Sequence, residues 1–244
     1  MLSGKTAFVT GGTGAVGQAI VRALAAQGAS VGFSYQSHSD KAREIEEELT
    51  GGSVQVKAYQ LDVLDARGAQ GVCKAMESGL GPLDILVNNA GISQVMPFAL
   101  IEETDWDRVM DVNVKGMFLV TKAFVRGMIA RKSGNVINMG SLAGTRVLEV
   151  PVHYATSKSA VIGFTLSLAG ELARYNIRVN AVVPGMLDGG VGLNVPEKQR
   201  REYCNYCTQG RPGRPEEAAQ LVAFLAGEAS SYINAQAINV DGGI

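Results

Sequence analysis

Several things are scarce in this chain, and each scarcity closes off a class of function. Only three cysteines occur, Cys73, Cys204 and Cys207, an odd number that argues against a disulfide framework. Cys204-x-x-Cys207 has no second pair to complete a zinc site, and the histidines His38 and His153 stand alone, so no metal site is expected. The two thiols are placed instead on one face of a short helix. Charge of one sign is lacking too: 22 Lys and Arg against 23 Asp and Glu leave a net charge of −1, with no general attraction to nucleic acid or anionic membrane. No apolar run approaches the roughly 20 residues of a bilayer span. Met1 to Thr10 lead straight into an apparent strand, without the basic segment and long apolar stretch of a signal peptide. The expectation is a cytoplasmic protein.

No Ser/Pro-rich linker, charge block, low-complexity tract or internal repeat divides the 244 residues, so one domain over 1–244 is the simpler account. A hydrophobic content of 46% beside 18% charged residues allows a large core. Near-continuous apolar runs at Thr6 to Thr10, Ser30 to Tyr35, Val54 to Tyr59, Asp84 to Asn88, Asn135 to Met139, Arg178 to Val183 and Ala237 to Val240 read as strands. Helical patterns separate them. This predicts an α/β fold, a doubly wound (Rossmann) parallel seven-stranded sheet with helices on both faces.

Between the first two strands, Ala15 to Gln27 has helical spacing and stops at Gly28. The segment Thr10-Gly11-Gly12-Thr13-Gly14-Ala15-Val16-Gly17 therefore follows a strand and opens a helix. A dinucleotide pyrophosphate needs such a turn: glycine lets the backbone approach the phosphates, and the helix N-terminus offers unpaired amides and a positive dipole end. Asp62, after the third strand, has the position to hydrogen-bond an adenine, against the alternative of a solvated turn carboxylate. Asn88-Asn89-Ala90-Gly91 follows the fourth strand, at a carboxyl end where ligands enter such sheets.

Tyr154 and Lys158 share one face if 153–175 is a helix, with Ser141 upstream. A lysine cation beside a phenol favours the phenolate and lowers its pKa toward working pH. Ser141 would hydrogen-bond a substrate oxygen where negative charge develops. Tyr-x-x-x-Lys alone also recurs in helices where it only packs a boundary, so the surrounding motifs decide. Asn113, a poor helix former, falls inside a long helical stretch from about Trp106 to Arg131 and invites a bond to a main-chain carbonyl or water.

These ordered pieces resemble the short-chain dehydrogenase/reductase family in its single-domain branch. The similarity runs through the glycine turn, Leu61-Asp62-Val63, Asn88 to Gly91, Asn113, Ser141, Tyr154-x-x-x-Lys158, Pro184-Gly185 and the final Asn239-Val240-Asp241-Gly242-Gly243. The resemblance implies that Tyr154 is the acid/base, Ser141 orients the carbonyl, Lys158 binds nicotinamide-ribose hydroxyls and lowers the Tyr154 pKa, and Asn113 holds a relay water. The cofactor contacts implied are Gly11, Thr13, Gly14, Val16 and Gly17, then Tyr35, Gln36 and Ser37, then Asp62 and Val63, then Asn89, Ala90 and Gly91. Tyr154, Lys158, Pro184, Gly185 and Met186 complete the set.

The chain also departs from the family pattern. Ala15 takes the middle glycine position, Gly14 stands where a basic residue often favours NADPH, and Gly189 replaces a threonine that contacts the carboxamide. Because Ser34 to Ser39 contain no carboxylate at the end of the second strand, NADPH is expected over NADH. A substrate lid is expected over about 187–210, with a helix from Pro196 to Cys207 carrying Tyr203 and Tyr206, its glycines permitting motion.

Gly210-Arg211-Pro212-Gly213-Arg214-Pro215-Glu216-Glu217 is similar to 3-oxoacyl-(acyl-carrier-protein) reductases. That implies NADPH-dependent reduction of a 3-oxoacyl thioester in fatty-acid or polyketide-type synthesis. An acidic acyl carrier protein would then seek Arg126, Arg131, Lys132 and Arg174, although Gly170 stands where those reductases often carry arginine. The alternatives are a ketone reductase acting on a free small molecule, and a catalytically silent nucleotide-sensing or scaffold protein. The apolar faces of Trp106 to Arg131 and His153 to Tyr175 suggest a homodimer or homotetramer.

Overall fold

The structure, a computed structural model, describes residues 1–51 and 54–244. Seven strands form one parallel sheet: β1 (Thr6–Val9), β2 (Ser30–Tyr35), β3 (Val56–Gln60), β4 (Ile85–Asn88), β5 (Gly134–Met139), β6 (Ile177–Pro184) and β7 (Ala237–Val240). Their order is β3-β2-β1-β4-β5-β6-β7. All seven expected strands are present with ends moved by at most two residues. The third starts at Val56 because Val54 pairs with Gly51 in an isolated antiparallel bridge.

Alternation along β1 explains the two layers. Ala7 and Val9 face a core shared with α1 (Ala15–Ala26), α2 (Ser39–Leu49) and α8 (Pro215–Ala226). Phe8 faces the other side, among α3 (Ala66–Leu80), α5 (Met117–Arg131) and α6 (Val152–Leu172). There its ring stacks on Phe124 at 4.6 Å between centroids, and truncating such a fully buried ring costs about 3–5 kcal/mol. This is a doubly wound Rossmann fold. The strand order reverses between β1 and β4, so the crevice of such a sheet opens at the carboxyl ends of those two strands.

Two helical expectations are corrected. The stretch expected as one helix from Trp106 is α4 (Glu103–Met110), a π-helical turn at Asp111–Gly116, and then α5. The wide turn turns the Asn113 side chain inward: its Oδ1 accepts from the Ile92 N–H at 2.8 Å, and its Nδ2 donates to the Ile92 carbonyl and to Ser157 Oγ at 2.9 Å each. Cys204 and Cys207 do not share a helix face, because α7 (Glu197–Tyr206) ends before Cys207. The Cys207 thiol is buried and turned toward the carbonyls of Asp241 and Gly242. Among the described residues no helix is long and apolar enough to cross a membrane, and no group of three or more His, Cys, Asp or Glu could hold a metal ion.

Candidate active site

The glycine turn after β1 is fixed by its own backbone. Gly11 N–H donates to Ser34 Oγ at 3.1 Å and Gly12 N–H to the Ser34 carbonyl at 2.8 Å. Gly11 has φ +66°, in the left-handed region. A Cβ on Gly17 would run into the Gly11 carbonyl and lie 2.9 Å from Asn89 Nδ2. Gly14 is different, since a Cβ there would sit 3.5 Å from the Gly11 carbonyl, an ordinary contact. Gly14 caps α1 without any side-chain hydrogen bond, so the first amides of α1 lack an intrachain cap at this end.

Asn89 holds the turn to the β4 exit: its Nδ2 donates to the carbonyls of Thr10 and Gly11 at 2.9 and 3.2 Å. Thr10 Oγ1 accepts from the N–H groups of Asn89 and Ala90, both at 2.9 Å. At the β2 end, Tyr35, Gln36, Ser37, His38 and Lys41 line the opening, whereas Asp40 does not. Asp62 receives the Leu64 N–H on Oδ1 at 2.9 Å and Gln36 Nε2 on Oδ2 at 3.3 Å.

At the other end, Ser141 follows β5 and Tyr154 lies in the first turn of α6. Burial pushes the Tyr154 phenol above its usual pKa, and the Ser141 hydroxyl pulls it partly back. Lys158 is buried, with Nζ 2.8 Å from the Met139 carbonyl it donates to and 5.8 Å from the Tyr154 ring centroid. Burial pushes its pKa down to about 8. The expectation that Lys158 lowers the Tyr154 pKa is therefore corrected for the chain's own groups. The ammonium bonds to a main-chain oxygen, not the phenol, and burial outweighs the Ser141 contact. Ser157 was not singled out in the sequence: its Oγ donates to the Tyr154 carbonyl at 2.7 Å and accepts from Asn113, so the π turn grips the helix turn that carries the phenol. Its signal was the i+3 spacing from Tyr154.

One cleft of about 1490 Å³ joins the two ends. Every residue expected to contact a cofactor lines it, as do Ser141, Tyr154 and Lys158. Asn113 lies behind the lining, with its side-chain amide engaged by Ile92 and Ser157. Beyond Tyr154 the wall is mostly apolar, with Val95, Met96, Phe98, Val147, Leu148 and Val152, and it also carries the charged side chains of Arg108 and Glu149. Helix α7 closes one side through Gln199, Glu202, Tyr203 and Tyr206.

The expected basic patch falls elsewhere. Arg126, Arg131, Lys132 and Arg174 do not line the cleft. The reason is topological: α5 ends at Arg131 just before β5 begins, so Arg131 and Lys132 lie at the amino edge of the sheet, opposite the carboxyl edge where the cleft opens. Arg131 is also engaged, with Glu77 at 3.9 Å and with the Leu83 carbonyl.

A family model described as enoyl-(acyl carrier protein) reductase matches residues 12–244. The chain is 37% identical over 243 residues to the 3-oxoacyl-(acyl-carrier-protein) reductase FabG of Thermotoga maritima, covering 100% of this chain and 98% of that protein. Among solved structures, it is similar to a short-chain dehydrogenase/reductase from Serratia marcescens, at 36% identity and TM-score 0.92, covering 99% of this chain and 98% of the other. A blue fluorescent protein from a metagenomic library, in complex with NADPH, matches with the same identity, TM-score and coverage.

Proposed function

The chain belongs to the short-chain dehydrogenase/reductase family of NAD(P)H-dependent oxidoreductases, and from that premise we propose that it reduces a 3-oxoacyl thioester, carried on an acyl carrier protein, to the 3-hydroxyacyl thioester with NADPH. The observation that carries this reading is the cleft itself. It runs from an uncapped helix N-terminus, past Ser141, Tyr154 and Lys158, into a mostly apolar mouth suited to an acyl chain.

The residues present fit a nicotinamide dinucleotide. Gly17 leaves a cradle that a Cβ would fill, and the amides of the α1 N-terminus suit a pyrophosphate. Asp62 and Val63, which line the cleft, would border the adenine. The rim there carries Ser37, His38 and Lys41, and its lining carboxylate, Asp62, is engaged by Leu64 and Gln36; hydroxyls and a cation beside a ribose favour a 2′-phosphate. Asn89, Ala90, Gly91, Pro184, Gly185 and Met186 would border the nicotinamide and its ribose. When bound, the reduced nicotinamide supplies the reducing equivalent for the carbonyl carbon.

The chain's own groups manage the proton. Ser141 donates a hydrogen bond to the substrate carbonyl oxygen as charge develops on it. Tyr154, kept protonated by burial, delivers its proton to that oxygen. Lys158 would hold the ribose hydroxyls of the bound nucleotide beside the phenol. Asn113 and Ser157 keep the first turn of α6 in place, and the π turn widens the backbone pattern where a relay water would bind. Exposed Phe118 and Leu166 on α5 and α6 suit a two-fold assembly.

A second reading, reduction of a free ketone, is favoured by one observation: the cationic cluster lies away from the cleft and offers a carrier protein no docking rim beside it. The test is NADPH oxidation with a 3-oxoacyl carrier protein, its pantetheine thioester analogue and simple ketones, for wild type and Tyr154→Phe. Thioester turnover lost in the variant supports the first reading. Rapid ketone reduction without thioester turnover establishes the second. NADPH binding without turnover of any ketone returns the chain to a sensing or scaffold role.

A further inference from the structure

Helix α7 is held unevenly, and the unevenness centres on one hydroxyl. Tyr203 Oη accepts from the Met186 N–H and donates to the Asp241 carbonyl, both at 3.1 Å. It thereby joins the turn after β6 to the segment after β7. Gly185 makes room for it, since a Cβ at that position would collide with the Tyr203 hydroxyl and approach Asp241 Cα at 3.0 Å. Burial holds the Tyr203 pKa above the usual tyrosine value, so the hydroxyl keeps the proton it donates.

One turn further, the same end of α7 is stitched down again. Cys207 Sγ lies 3.3 Å from the Gly242 carbonyl. Thr208 Oγ1 donates to the Gly243 carbonyl at 2.7 Å, and Gln209 N–H to that of Gly242 at 3.1 Å. The opposite end has no such anchorage. No α7 residue is fully buried. Its first turns carry the exposed pairs Glu197–Arg201 and Lys198–Glu202, and one tie back to the preceding loop, Arg200 to Asp188 at 3.0 Å. Exposed pairs of this kind contribute little.

We infer that Tyr203 is a positioning residue that clamps the Pro184-Gly185-Met186 turn to Asp241 and makes the C-terminal end of α7 the fixed end of a lid. The free end is the segment from Gly190 through the first turns of α7, beyond the Leu187–Gly213 bridge and the Asp188 N–H bond to the Gly213 carbonyl at 2.7 Å, and it swings over the nucleotide. The clamp compensates for Gly189. With no threonine side chain there to engage the nicotinamide carboxamide, the turn beside it takes its rigidity from the Tyr203 hydroxyl. The inference rests on the nicotinamide reading above and extends it to a residue outside the reacting set.

The test compares wild type with Tyr203→Phe, which keeps the ring and removes both bonds. Lys198, Arg200 and Arg201 place three tryptic sites on the free end, so lid closure is read directly as NADPH protection of those bonds. In wild type, NADPH slows cleavage there. In Tyr203→Phe, the protected rate rises and KM for NADPH rises, each about five- to tenfold, with kcat changed less. A purely structural tyrosine would instead lower Tm and speed cleavage at sites throughout the chain, with KM unchanged; that result, or a variant indistinguishable from wild type, overturns the inference. Absence of NADPH protection in a wild type that binds and turns over the nucleotide also overturns it. A wild type that does not bind NADPH at all sinks the underlying functional reading instead.

Discussion

Gly189 packs directly against Ala15 at the start of α1: a Cβ built on Gly189 would stand 3.2 Å from the Ala15 Cβ and 2.9 Å from Cγ of Pro215. These are two of the positions at which the chain departs from its family's pattern. A methyl has been added at the start of α1 and a side chain removed from the loop that lies against it, so the two departures offset each other in one contact. Restoring threonine at Gly189 alone is expected to drive the loop off α1 and weaken NADPH binding about tenfold. Ala15→Gly in the same chain should recover part of that loss, with Pro215 accounting for the remainder. Fluorescence titrations of the four proteins of this cycle measure the coupling; strictly additive losses would refute the shared contact.

Tyr154→Phe removes the proton donor and little else. We expect kcat to fall by about two to four powers of ten while the NADPH dissociation constant stays within about threefold. Ser141→Ala should cost about 10²–10³ in kcat. Since the Ser141 hydroxyl pulls the Tyr154 pKa down, its loss should also move the alkaline limb of the pH profile to higher pH. A limb that stays fixed would separate Ser141 from the phenol.

Lys158 gives a stability signature. Its pKa is about 8 in the folded chain, against an ordinary lysine value of 10.5. Below about pH 8 both states hold the proton, and the cost of burying the ammonium is fully present. Between the two values the unfolded chain keeps a proton that the folded chain has released, so stability rises with pH through that window. Lys158→Met abolishes this rise. Urea midpoints from about pH 7 to about 10.5 should therefore converge for the two proteins as pH increases, with wild type the one that gains. Parallel curves would mean that the ammonium is not desolvated as its contacts imply.

The sheet was legible in the sequence because each strand is a near-continuous apolar run. The phosphate turn was legible because glycine spacing coincided with a strand-to-helix junction. What escaped depends on residues far apart in the chain. The π turn at Asp111–Gly116 is accompanied by bonds from Asn113 to Ile92 and Ser157, and periodicity carries no trace of those partners. The ammonium of Lys158 finds the Met139 carbonyl, and the Tyr203 hydroxyl finds Asp241, only after the crossovers have brought strand ends together. The misplacement of Arg131 and Lys132 was avoidable: a helix leading into a parallel strand ends at that strand's amino edge, away from the carboxyl-edge site. Cys207 was misread because the sequence from Glu197 to Gln209 holds no glycine or proline to mark where α7 stops.

His153 supplies the opposite pH signature. It precedes Tyr154 in the first turn of α6, is 0% exposed, and neither ring nitrogen has a hydrogen-bond partner among the described residues. Burial lowers its pKa, and Asp105 on α4 raises it only in part, being itself engaged by Gln94 Nε2 at 2.9 Å and the Glu102 N–H at 3.2 Å. Above about pH 6.5 the ring is neutral in both states. As pH falls below that value the unfolded chain takes a proton that the folded chain resists, so stability is lost until the folded pKa is reached. Wild-type Tm should accordingly drop more between about pH 7.5 and about pH 5.5 than that of His153→Leu, which packs the same seam between α4 and α6 without a titrating group. Because Tyr154 rides on the same turn, acid inactivation should follow the wild-type stability loss and be shallower in the variant. Equal acid sensitivity of the two proteins would show that the buried imidazole does not couple this helix to pH.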